Sequence, residues 1–151
     1  MRVRVGGVIP MGSGFAFMHR KGVENHPLGE YYVFAGGGLE GKESLEEGVK
    51  REIEEEFGIL VDVEELLYTY VREESPNQQE YYFLCKYVSG IFGTGKGPEF
   101  SNDPQHKSRG RYLPEIVAKE NIEILPLVPP EVKASLLRDI ENGRFDNYLK
   151  N

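Results

Sequence analysis

Glu52, Glu55 and Glu56 stand at positions i, i+3 and i+4 of one segment. On a helix turning about 100° per residue, the three carboxylates fall within a sector roughly 100° wide. Like charges at that spacing weaken an isolated helix by about 0.2–0.5 kcal/mol per pair, so they require either full solvation or a compensating cation. A hard divalent ion such as Mg2+ or Mn2+ suits the second case, because it prefers oxygen ligands and keeps positions open for water and substrate phosphates. The first case is the wet face of an acidic helix, and the three glutamates alone leave both open.

The surrounding residues show how such a cluster would be held. Ser44 and Glu47 form the S-x-x-E pattern of a capping box, and Leu45, Val49, Ile53 and Phe57 recur every four residues as one apolar stripe. Gly58 follows where a left-handed terminator is wanted, so a helix is expected from Ser44 to Phe57. Its projection sets Glu52 and Glu56 beside the apolar stripe and turns Glu54 to solvent. Ahead of it, the β-prone run Tyr31 to Ala35 feeds Gly36, Gly37 and Gly38, read as a glycine-rich loop that lets backbone approach a ligand or present a carbonyl to a metal.

The rest of the chain supplies a scaffold. Val3 to Ile9 and Phe15 to Met18, joined across Gly12 and Gly14, read as a β-hairpin, and Val61 to Val71 with Glu80 to Ser89 as an antiparallel pair. Gly90 to Gly110 reads as a long polar loop of the kind that borders active sites. A short strand near Arg111 to Leu113, a short helix from Pro114 to Lys119 and a firmer helix from Pro130 to about Asn142 complete the pattern.

Composition narrows the function classes. The 151 residues suffice for one domain, expected over 1–151, without disulfides or a structural metal. The net charge of −7 argues against a long nucleic acid as partner but leaves room for a local basic pocket. The single cysteine, Cys85, lies in a strand-like run and reads as packing. With no secretory or membrane-length apolar run, a soluble, unprocessed cytoplasmic protein is expected.

Gly37, Glu43, Arg51, Glu52, Ile53, Glu55, Glu56, Gly58 and Ile59 fill every fixed position of G-x5-E-x7-R-E-U-x-E-E-x-G-U, with U aliphatic. This segment, residues 37–59, resembles the box of the Nudix (MutT-like) hydrolases. The resemblance implies an α/β/α sandwich with a mixed sheet and a catalytic loop-helix-loop at 37–59. Ala35 stands where the family commonly has proline, a departure that loosens the turn without removing a ligand.

By that similarity, Glu52, Glu55 and Glu56 would bind Mg2+ or Mn2+, with the Gly37 carbonyl as an additional ligand. Arg51 would orient the glutamates, and Glu43 would support the loop. A further acid or base is sought in the long loop, where Glu99 is the first choice and His106 the second. Arg20 and Tyr32 are candidates for substrate contact, against the plainer reading of each as a surface or packing residue. Tyr112 sits where relatives often carry tryptophan.

The reaction implied is water attack on a phosphoanhydride bond of a nucleoside diphosphate linked to another group. A nucleoside triphosphate or modified nucleotide is the default substrate. Pro76 and Tyr81 lie too far past the box to match the markers of ADP-ribose or diadenosine polyphosphate enzymes, although ADP-ribose or another nucleotide sugar remains an alternative. Tyr31, Tyr32, Tyr81 and Tyr82 could stack on a base or simply pack across strands. A non-catalytic nucleotide-binding domain is the remaining alternative, although the box keeps all its glutamates; the resemblance also allows a homodimer.

Overall fold

The computed structural model describes residues 2–22, 29–73, 77–96 and 110–150. β1 (Arg2–Val8) is an interior strand. It pairs antiparallel with β5 (Ala35–Gly38) on one edge and parallel with β7 (Gln78–Gly90) on the other. β6 (Ile59–Arg72) closes this first sheet as the expected antiparallel partner of β7, in the order β5-β1-β7-β6. The second sheet is centred on β3 (Gly14–Lys21). β8 (Arg111–Ala118) runs along one edge of β3, and β2 (Pro10–Met11) and β4 (Glu30–Val33) share the other; β9 (Leu127–Val128) lies parallel to β4.

Two helices complete an α/β sandwich with mixed sheets. The apolar stripe of α1 (Leu45–Phe57) buries Val49, Ile53 and Phe57 completely, in a cluster with Val5, Ile9, Met18, Val61 and Phe83. Each such side chain contributes about 1.5–3 kcal/mol by leaving water. α2 (Pro130–Glu141) starts with a proline in its first turn and buries Val132 and Leu136 in a second cluster with Phe15, Phe17, Tyr32, Phe34 and Phe145. Cys85 is fully buried, and the loss of solvation pushes its thiol up to about 12, so it packs.

Three local expectations are corrected. The hairpin is reduced to Pro10–Met11 against Gly14–Phe15, because both edges of β1 are already occupied by β5 and β7. The three glycines are not a loop but most of β5: a Cβ on Gly36 would lie 2.0 Å from the Val5 carbonyl oxygen, so bare backbone is what permits this pairing. Pro114 to Lys119 is not a helix. Strand β8 runs through Pro114 to Ala118, and Pro114 is tolerated because, among the described residues, β8 pairs only with β3, leaving an outer edge where no amide is needed. Glu99, His106 and Pro76 lie outside the described residues.

Gly58 closes α1 with φ +74°, its amide donating to the Glu54 carbonyl at 2.9 Å. A Cβ there would approach Thr94 Oγ1 at 2.2 Å and the Thr94 carbonyl carbon at 2.7 Å. Gly58→Ala therefore combines an unfavourable left-handed conformation with a backbone clash. We expect a loss of at least about 2 kcal/mol, seen as a melting temperature roughly 4–8 °C lower. An unchanged melting curve would show that the helix terminator is not under this constraint.

Candidate active site

The acidic cluster is positioned by the ends of α1. At the start, Ser44 Oγ accepts from the Glu47 amide at 3.1 Å and Glu47 Oε1 accepts from the Ser44 amide at 2.9 Å. The helix is thus fixed in register, and its apolar stripe pins the rotation. Glu52 and Glu56 are 7% and 4% exposed, at the border of the buried face, while Glu54 points outward and Glu55 is half-buried.

Arg51 is the counter-charge within this group. Its Nε and Nη2 donate to the Glu43 carboxylate at 3.1 and 2.7 Å, Nη1 donates to Glu52 Oε1 at 3.0 Å and Glu55 Oε2 at 3.3 Å, and Nη2 also donates to the Gly38 carbonyl at 3.0 Å. One guanidinium therefore ties helix, loop and β5 together. The hydrogen bonds from Arg51, aided by the Glu40 amide at 2.8 Å, hold the Glu43 carboxyl below the usual carboxylate range. The same contacts raise the already high Arg51 pKa further.

The glycines of β5 meet the other side of the cluster. The Gly36 amide donates to Glu56 Oε2 at 2.8 Å. A Cβ on Gly37 would fall 2.5 Å from Glu52 Oε1, so only glycine lets this backbone and that carboxylate come so close. Two buried carboxylates against bare backbone make an all-oxygen, hard donor set that fits a divalent cation such as Mg2+. Among the described residues, no group of three or more His, Cys, Asp or Glu side chains stands ready to hold a metal ion. Glu52 and Glu55 are turned to Arg51 and Glu56 to the Gly36 amide, so a cation would have to share these oxygens with them.

Glu52 and Glu56 open on a cleft of about 900 Å3 between the two sheets. Arg2 and Arg4 from β1, Arg20 from β3 and Arg72 from β6 line it, together with Glu80, Tyr70, Tyr31 and Tyr112. In a chain of net charge −7, this gathering of cations is local and suits a phosphorylated ligand. Arg20 stands between its cross-strand neighbours Tyr31 and Tyr112, its guanidinium carbon 3.8 Å from the Tyr112 ring centroid and 5.6 Å from that of Tyr31.

The expected residues are thus partly brought together. Gly37, Arg51, Glu52, Glu55 and Glu56 form one cluster, and Arg20 joins the cleft from across the fold. Tyr32 is placed on the opposite face of β4 from the cleft-lining Tyr31. It is buried, stacks on His19 with centroids 4.1 Å apart, and donates its hydroxyl to Glu115 at 3.1 Å. Burial and Glu115 together push the Tyr32 hydroxyl up to about 12. Arg2, Arg4, Arg72, Gln78 and Glu80 were not among the sequence candidates. Their signal was alternation: Arg2 with Arg4, and Gln78 with Glu80, each spaced by two in a strand.

The Arg51–Glu43 contact has a pH signature. A carboxyl whose folded pKa is depressed stabilises the fold above its unfolded value and loses that contribution as pH falls through the folded one. Thermal stability should therefore decline as pH drops below about 4.5, and the decline should be shallower in Glu43→Gln. Melting temperatures of the two proteins across this range decide it; parallel curves would show that the contact is not linked to acid unfolding.

A family model described as the NUDIX domain matches residues 1–113. No curated protein matches the sequence significantly. Among solved structures, a NUDIX hydrolase from Nitrosomonas europaea superposes with a TM-score of 0.69 at 19% identity, covering 94% of this chain and 89% of that one. A MutT protein from Methanosarcina mazei Go1 gives 0.64 at 21%, covering 93% and 94%. An ADP-ribose pyrophosphatase from Streptococcus suis gives 0.60 at 15%, covering 91% and 90%. At these identities the structures share the fold. With the matched region spanning most of the chain, and Glu43, Glu52 and Glu55 of the box gathered on Arg51, the chain belongs to the NUDIX family of hydrolases.

Proposed function

We propose that this chain, as a single Nudix domain over residues 1–151, is a metal-dependent pyrophosphohydrolase. Its substrate would be a nucleoside diphosphate linked to a further group, a nucleoside triphosphate or modified nucleotide before a nucleotide sugar. The observation that carries this reading is the meeting of two buried carboxylates, Glu52 and Glu56, with an arginine-lined cleft. Hydrolases of the family generally use divalent metal ions, and Glu52, Glu55 and Glu56 with the Gly37 backbone would hold Mg2+ or Mn2+ here. When bound, the ion supplies charge neutralisation at the pyrophosphate and acidifies an attacking water.

The chain's own groups supply the rest. Arg2, Arg4 and Arg20 orient the phosphates by charge and by directed N–H donors. Arg51 keeps Glu52 and Glu55 aligned at the helix border. The Gly36 amide fixes the rotamer of Glu56. Tyr31 and Tyr112, flanking Arg20, line the cleft on the side of the second sheet. The acid or base outside the box, Glu99 before His106, belongs to the same proposal. No described helix is long and apolar enough to cross a membrane. A reducing cytoplasm suits a chain whose single thiol is buried and held protonated.

Product release from triphosphates, nucleotide sugars, ADP-ribose and dinucleoside polyphosphates should require Mg2+ or Mn2+ and stop with chelator. Glu56→Gln and Glu52→Gln should lower kcat by about 10³-fold, equivalent to roughly 4 kcal/mol of lost transition-state stabilisation. Glu54→Gln, on the exposed face of α1, should leave the rate within about twofold. Wild-type inertness across the panel, or equal rates in all three variants, would refute the hydrolase reading.

A further inference from the structure

Charge alternates across the cleft along the strand order of the first sheet. On the face that looks into it, residues stand in rows across the strands: Gly36, Gly6 and Tyr82; then Gly38, Arg4, Glu80 and Tyr70; then Arg2, Gln78 and Arg72. The box glutamates meet β5 at one end of these rows. Glu80 stands two strands further on, and at about 4.8 Å per strand it lies roughly 10 Å from β5. That is about the span from a reacting phosphate, across a ribose, to a nucleobase.

Glu80 is a buried carboxylate, 8% exposed, that lines the cleft and is held rigidly. Tyr82 Oη donates to its Oε1, and Gln78 Nε2 donates to its Oε2 at 2.7 Å. Gln78 and Tyr82 are themselves 5% and 6% exposed, so the clamp is fixed by packing. A carboxylate offers about four acceptor sites, two on each oxygen. One site on each oxygen is used by the clamp, and the pair that remains matches two parallel donors.

We propose that Glu80 is the residue that reads the base, accepting the ring N–H and the adjacent amino hydrogen of a guanine-type edge, with the phosphates lying toward β5 and α1. The inference rests on the hydrolase reading above and deepens it. Adenine and cytosine set a donor beside an acceptor on the corresponding edge, and uracil sets one N–H between two acceptors, so each would oppose a lone pair to the carboxylate. A ribose diol also offers two donors, but it follows the phosphates directly and falls short of Glu80. Arg4 in the same row draws phosphates to its own side while Glu80 repels them, which orients the ligand. Gln78 and Tyr82 act as positioning residues.

Calorimetric titration of the full chain with GMP, IMP, dGMP and AMP tests this without turnover. GMP should bind about 10–100-fold more tightly than IMP, which lacks only the amino group, and dGMP should match GMP within about threefold. Glu80→Gln exchanges one acceptor for a donor and should erase the GMP–IMP difference while raising the affinity for AMP; Tyr82→Phe should narrow the difference with the fold intact by circular dichroism. Equal binding of GMP and IMP by the wild type, a preference unchanged in Glu80→Gln, or a larger loss with dGMP than with IMP would each overturn the assignment. An active enzyme blind to the amino group refutes only this inference, whereas an inert protein that discriminates GMP from IMP refutes only the hydrolase reading.

Discussion

The structure depends on one unfavourable interaction, the crowding of four carboxylates around the C-terminal half of α1 and the loop before it. Glu43, Glu52 and Glu55 are all drawn to Arg51, and Glu56 is drawn to a backbone amide instead. The guanidinium is the group suited to this, because its planar fork can serve several carboxylates and a carbonyl at once. Lysine would offer a single point of charge. The neighbours of Arg51 are therefore arranged to suit it: the capping box fixes where the helix begins, and Gly38 turns its carbonyl toward the helix.

The same crowding explains why glycine is placed where it is. A carboxylate buried beside a strand needs that strand to present its amides closely, and a side chain there would intervene. β5 answers this by having almost no side chains, so that Gly36 reaches Glu56 and Gly37 clears Glu52. Gly6 continues the pattern into β1, where a Cβ would press on the Tyr82 ring at 2.8 Å. The bare backbone that admits the glutamates also admits the aromatic clamp next to them.

Legibility in the sequence followed the range of the interactions involved. α1 was legible to the residue, since caps and a four-residue apolar repeat are local signals, and so was the place of Glu52 and Glu56 at the border of its buried face. β5 was mistaken for a loop because glycine carries no strand propensity, and its partner β1 lies far off in sequence. β8 was cut short because Pro114 normally ends a strand, and nothing local reveals that it lies at an edge of the described sheet. The cleft was the least legible part. Arg2 and Glu80 share a wall only because β1 and β7 pair in parallel, a contact set by topology, and Tyr32 was preferred to Tyr31 although strand parity decides between them.

The parallel pairing of β1 with β7 also bears on how the molecule comes together. β1 precedes β7 in the chain, and the strand that must lie along one of its edges follows only after β2 to β6. Pairing across so long a stretch of chain is slow to close, whereas α1 and the β6–β7 hairpin are assembled from near neighbours. Until β7 docks, β1 has an open edge flanked by apolar side chains, a surface other nascent chains could join. Arg2 and Arg4 stand at the outset of that strand. Like charges brought edge to edge repel, so the residues that line the finished cleft also make that open edge a poor match for a second copy of itself.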